Sequence, residues 1–131
     1  MEQTWKKYFD DANGYSKAAI GSSSKKKFGS QVVYNLISMA IENYLTALCV
    51  SSGEMPEHEG ISYMLRQVGK NIEIPEPFHQ EARFMNRFMN YCSLEVQEPL
   101  DPTHEELARM LGFMGDLKSF CEGLLLKGQT V

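Results

Sequence analysis

The side chains in this sequence best suited to chemistry are a pair of arginines and three scattered histidines. Arg83 and Arg87 lie four residues apart in EARFMNRFMNY, flanked by Phe84, Met85, Phe88 and Met89. On a helix, positions i and i+4 share a face. Two planar, permanently charged guanidinium groups therefore sit beside aromatic rings, a combination that receives phosphate and stacks a nucleobase. Ion pairing with the many nearby acids is the competing use of the same residues.

The histidines give a different picture. His58, His79 and His104 are widely spaced, and neither HxxxH nor HExxH occurs to put two imidazoles on one helix face. His58 is bracketed by Glu57 and Glu59, but neighbouring helical positions point about 100° apart, so these three do not converge on one ion. They read as a cluster that opens a helix, and His104 between Thr103 and Glu105 reads the same way. Cys49, Cys92 and Cys121 are far apart, with no CxxC, and sit among apolar residues as small core side chains. No GxSxG elbow, P-loop or GxGxxG stretch is present. No metal and no cofactor are expected.

A chain of 131 residues fits one domain, 1–131, with enough apolar content for a core. Three unpaired cysteines, a charged start (MEQTWKKYFDD) and the lack of an apolar run near 18 residues predict a reducing, cytoplasmic setting with no membrane span. The net charge is −4, unevenly spread. Residues 1–27 hold six lysines and three acids, whereas 73–106 hold two arginines and eight acids. The only basic run, Lys25-Lys26-Lys27, follows Gly21-Ser22-Ser23-Ser24 and reads as a solvated loop rather than a nucleic-acid grip.

Five segments carry the helical period. The first, about 3–20, places Trp5, Tyr8, Phe9, Ala12, Tyr15 and Ala19 on one face, with a bend expected at Gly14 and an end at Gly21. The second, about 27–50, has an apolar stripe too wide for one neighbour and should be the central helix. Gly53 suits the left-handed position beyond its end. The third is expected to start near Pro56, with Glu57 and Glu59 in its first turn, and carries Ile61, Met64, Leu65 and Val68. The fourth follows Pro75 and Pro77 and carries Phe78, Ala82, Met85, Met89 and Cys92. The fifth opens at Asp101-Pro102-Thr103, with Glu106 at capping-box spacing, and runs to about Leu124. Gly112 and Gly115 within it predict a close helix crossing. Short links and wide stripes give an all-α, up-and-down bundle of four to five antiparallel helices.

The stretch ISMAIENYLTALCVSSGEMPEHEGISYMLRQV resembles the HEPN family, the higher-eukaryote and prokaryote nucleotide-binding domain. Ala40, Glu42, Ala47 and Leu48 match its central-helix pattern. Gly53, Pro56, His58 and Leu65 match the break, proline, histidine and leucine-rich helix that follow. The resemblance implies a HEPN-like bundle that dimerises, and a partner such as a minimal nucleotidyltransferase. It also implies a nucleotide or RNA ligand, for which Arg83 and Arg87 are the candidates, and a structural role for Glu42, Pro56 and His58. Ribonuclease members, found in toxin and defence systems, carry an Arg followed four to six residues later by His. Arg83, Arg87 and Arg109 have no such histidine; His104 precedes Arg109. A non-catalytic binding module is therefore expected, the alternative being a divergent metal-independent ribonuclease.

Overall fold

The computed structural model describes residues 4–25, 29–88 and 101–126. These form five α-helices: α1 (Thr4–Lys25), α2 (Ser30–Ser51), α3 (Ile61–Val68), α4 (Glu76–Asn86) and α5 (His104–Cys121). A π-helical turn, Glu122–Leu126, continues α5. No strand occurs among the described residues, and the architecture is an all-α bundle.

α2 is the central helix. It packs against α1, α3 and α5, and Ile37, Ala40, Ile41, Tyr44, Leu45 and Leu48 along it are fully buried. Burying each larger aliphatic side chain contributes about 1.5–3 kcal/mol, so this helix supplies much of the drive to collapse. By length and composition α2 is also apolar enough to cross a membrane, which the sequence reading did not anticipate. Its apolar surface is instead spent mainly on its neighbours, with two thirds of the most hydrophobic window buried.

Polar contacts set the register of the packed helices. Tyr44, buried on α2, donates its hydroxyl proton to Asn13 Oδ1 at 2.6 Å. Ser16 Oγ lies 2.9 Å from the same oxygen; the tyrosine proton being committed to Asn13, the serine is the donor there. Phe9 meets the Tyr44 ring edge-on, with centroids 5.9 Å apart, and Trp5 stacks edge-on against Phe9. At the other side of α2, the Tyr34 hydroxyl donates to the Met85 carbonyl at 3.2 Å, tying in α4. Asn86 Nδ2 donates to Ser62 Oγ at 2.9 Å between α4 and α3. Phe78 of α4 is edge-on to both Phe113 and Phe120 of α5.

Several boundaries differ from the sequence expectation. α1 runs through Gly14 without a break and through Gly21 and the serines to Lys25. The stretch expected as a loop is thus largely helical. A few unfavourable residues cost less than the packing of a long hairpin returns. α3 begins at Ile61 rather than near Pro56. Its N-cap is Gly60 at φ +111°, a conformation open to glycine. Glu57, His58 and Glu59 therefore sit in a loop, and the helix-opening and dipole arguments for them fail. Pro75 caps α4 and Pro77 lies within its first turn. α4 ends at Asn86, and Met89, Tyr91 and Cys92 of the expected stripe lie outside the described residues, as do Lys26 and Lys27. Gly112 and Gly115 mark no close crossing: both are exposed, and a Cβ at either would meet nothing within 4 Å among the described residues.

Other expectations hold. Gly53 adopts φ +87° beyond the end of α2. The α5 capping box is complete, with Glu106 N donating to Thr103 Oγ1 at 3.1 Å and Thr103 N to Glu106 Oε1 at 2.8 Å. Cys49 and Cys121 are buried free thiols.

Candidate functional site

Two polar features stand out on the bundle, and both include residues singled out from sequence. The first lies where the C-terminal half of α4 faces α5. Phe84 and Phe88 are buried and edge-on to each other, with centroids 5.6 Å apart. Arg87, exposed just past the end of α4, holds its guanidinium carbon 5.7 Å from the Phe84 centroid and 5.9 Å from that of Phe88. Among the described residues it makes no ion pair. Arg83, one turn earlier, is 3.8 Å from Glu76, but both side chains are mostly in solvent. A surface pair of that length is worth little and is screened by salt.

Arg109 of α5 completes this cluster, and it is tied down. Its Nε and Nη2 donate to the two carboxylate oxygens of Glu81 at 2.8 and 3.0 Å, a bidentate geometry specific to arginine. Its guanidinium carbon is 3.8 Å from the Phe84 ring centroid, within cation–π range. The Glu81 hydrogen bonds raise its pKa further, so it stays charged and fixed. Among the described residues the three arginines thus divide into one neutralised by a carboxylate, one weakly tethered and one without a carboxylate partner. Sequence reasoning foresaw the α4 pair but not the Glu81–Arg109 clamp, whose members are 28 positions apart and give no local signal.

The second feature is the loop between α2 and α3. It is bounded by Gly53 and Gly60, the two positive-φ glycines, and anchored at its middle by buried Pro56. Glu57 N donates to Gln67 Oε1 of α3 at 3.0 Å. His58 Nδ1 lies 3.9 Å from Glu42 Oε1, too far for a hydrogen bond. Among the described residues the ring is thus linked to Glu42 by a long-range electrostatic contact rather than a hydrogen bond. Partial burial raises the Glu42 carboxyl above the ordinary range, partly offset by His58. Tyr63 of α3 lies beside the acidic loop, and its hydroxyl pKa is raised mainly by Glu57, with burial and Glu59 adding to it.

His58 is thus brought near Glu42 of α2, with Pro56 buried in the same loop as His58, while Arg83 and Arg87 belong to a separate cluster at the end of α4. His79 is half-buried on α4 and His104 is exposed at the start of α5. No hydrogen bond among the described residues joins either imidazole to Arg83, Arg87 or Arg109. Nor does any group of three or more His, Cys, Asp or Glu among them come together as a metal site.

Solved structures share this architecture. A HEPN domain protein from Thermotoga maritima superposes with a TM-score of 0.73 at 18% identity, covering 92% of this chain and 98% of its own. A protein from Thermus thermophilus superposes with a TM-score of 0.76 at 18% identity, covering 94% and 98%. No family model and no curated protein matches the sequence.

Proposed function

From the HEPN-like bundle as premise, we propose that this chain is a non-catalytic binding module. It works by association, with a second copy of itself or with another protein such as a minimal nucleotidyltransferase, and receives a nucleotide or RNA at the α4–α5 arginine cluster. The observation that carries the ligand half of this reading is the state of Arg87. Its guanidinium is exposed, has no carboxylate partner among the described residues, and stands over two buried aromatic rings. A phosphate oxygen arriving there finds a donor fork already held near an apolar platform. Arg83 can turn from its loose contact with Glu76 to join it. Arg109 keeps the platform in place rather than binding, because Glu81 occupies its donors.

The placing of the histidines supports the non-catalytic half. A ribose hydroxyl needs a base within hydrogen-bond reach to become a nucleophile, and among the described residues no imidazole is hydrogen-bonded into the arginine cluster. The test is fluorescence anisotropy with labelled ATP and a single-stranded oligoribonucleotide at low and moderate salt. Arg83→Glu/Arg87→Glu should weaken binding about tenfold or more, with a shallower salt dependence. Unchanged affinity in that variant refutes the ligand site. Cleavage of the RNA by the purified wild type, lost in His79→Ala/His104→Ala, refutes the non-catalytic reading.

A further inference from the structure

The rings beneath the arginines are closed to a nucleobase. A base stacks on an aromatic side chain only where a ring face stands open to it. Phe84 is 7% exposed and Phe88 4%. The Arg109 guanidinium covers Phe84, its carbon 3.8 Å from the ring centroid, and the two hydrogen bonds to Glu81 hold it there. Phe88 has the Phe84 ring edge-on at 5.6 Å and the Tyr34 ring tilted at 6.0 Å. Tyr34 is fixed in turn by donating to the Met85 carbonyl. The stacking that the arginine–aromatic sequence pattern suggests is thus taken up by the protein's own groups.

Charge is what the cluster leaves open. Arg87 is exposed and has no carboxylate partner among the described residues, and Arg83 meets Glu76 only at 3.8 Å across solvent. At i, i+4 spacing their Cβ atoms stand about 5–6 Å apart. Two guanidinium forks at that separation serve one phosphate group, or two neighbours in a phosphate chain. Arg109 adds no free charge, because Glu81 matches it. Residues 73–88 hold Glu73, Glu76 and Glu81 against these two arginines. No excess of positive charge on this segment is left to follow a polyanion along its length.

We infer that this site recognises phosphate and not base: its ligand is a short phosphate chain, free or as the tail of a nucleotide, with any base left in solvent. The inference rests on the reading that the arginine cluster is the ligand site, and it names what that site discriminates. Competition against labelled ATP, followed by fluorescence anisotropy on the full chain at fixed ionic strength, tests it. ATP, GTP, CTP and inorganic tripolyphosphate should compete within about threefold of one another, since none gains a stacking contact. Adenosine, which has no phosphate, should not compete. Arg83→Glu/Arg87→Glu should weaken ATP and tripolyphosphate alike and, both side chains being exposed, should melt like wild type. ATP binding about tenfold or more tighter than tripolyphosphate, the effect expected of one stacked base, overturns the inference; if the double variant still loses ATP, the site itself stands. ATP affinity unchanged in the double variant overturns the site and the inference together. A wild type that binds neither ATP nor tripolyphosphate overturns the inference as well.

Discussion

Changing Tyr44 to phenylalanine removes a single oxygen from the centre of the α1–α2 contact and leaves the ring, with its edge-on packing on Phe9, in place. That oxygen serves two partners, Asn13 at 2.6 Å and Ser16 at 2.9 Å. Asn13 is partly exposed and recovers a bond to water; Ser16 is 5% exposed and does not. Leaving a buried hydroxyl unsatisfied costs about 1–3 kcal/mol, so about 2 kcal/mol is the working figure for Tyr44→Phe. For 131 residues, an unfolding entropy of about 2.1 cal/mol/K per residue turns this into a fall in Tm of about 7 °C. Thermal melts and urea titrations read it directly, and an unchanged urea m-value would place the effect in the folded state. The sharper measurement is the cycle with Ser16→Ala. Once the serine hydroxyl is gone, losing the tyrosine oxygen strands nothing buried, so the double variant should be clearly more stable than the summed single effects predict. Strict additivity, or a Tm within about 1 °C of wild type for Tyr44→Phe, would refute the account of how α1 is keyed to α2.

Three other outcomes follow from the geometry. Thr103→Ala should cost about 1 kcal/mol by removing the acceptor for Glu106 N, and adding Glu106→Ala should cost less than it does alone, because the box is already open. Glu42 has a raised carboxyl pKa in the fold, so its protonated form favours folding and that advantage fades as pH rises through the folded value. Glu42→Gln should therefore match wild type in acid and exceed it at neutral pH, in urea titrations across pH 3.5–8 in steps; a gap that narrows on going from acid to neutral would contradict the burial argument. Gly60→Ala, at φ +111°, should destabilise by about 1 kcal/mol or more. Gly112→Ala, in the open face of a regular helix, should stabilise by a similar amount. Equal effects of the same sign at these two glycines would show that backbone conformation is not what separates them.

The sequence made the long helices legible because their signal is redundant. α2 repeats its apolar stripe over six turns, and α5 combines such a stripe with a capping box whose two halves agree. Pro56 and the acids after it imitate a helix N-terminus, although α3 begins only at Ile61. The deciding residue was Gly60, whose positive φ no local pattern announces. Gly21 failed as a terminator because hairpin packing, a tertiary effect, outweighs one poor helix former. In the candidate site, the i, i+4 spacing of Arg83 and Arg87 was visible, and so was their aromatic company. What divided the labour among the arginines was not visible: Glu81 selects Arg109 across the bundle, and separation along the chain hides such a pairing. His58 and Glu42 could be paired as members of one motif, but not their 3.9 Å distance.

The Arg109 guanidinium over Phe84 has a bearing on how any alanine scan of this surface should be read. A planar cation here roofs an otherwise outward-facing ring, so deleting it uncovers greasy surface as well as subtracting a positive charge. Weak binding by an Arg109→Ala protein could then arise from a sagging platform or from clumping, with no phosphate ever having touched residue 109. Arg109→Lys keeps the charge and loses the roof. That substitution, and not the alanine one, tells a damaged ceiling from a missing electrostatic hand.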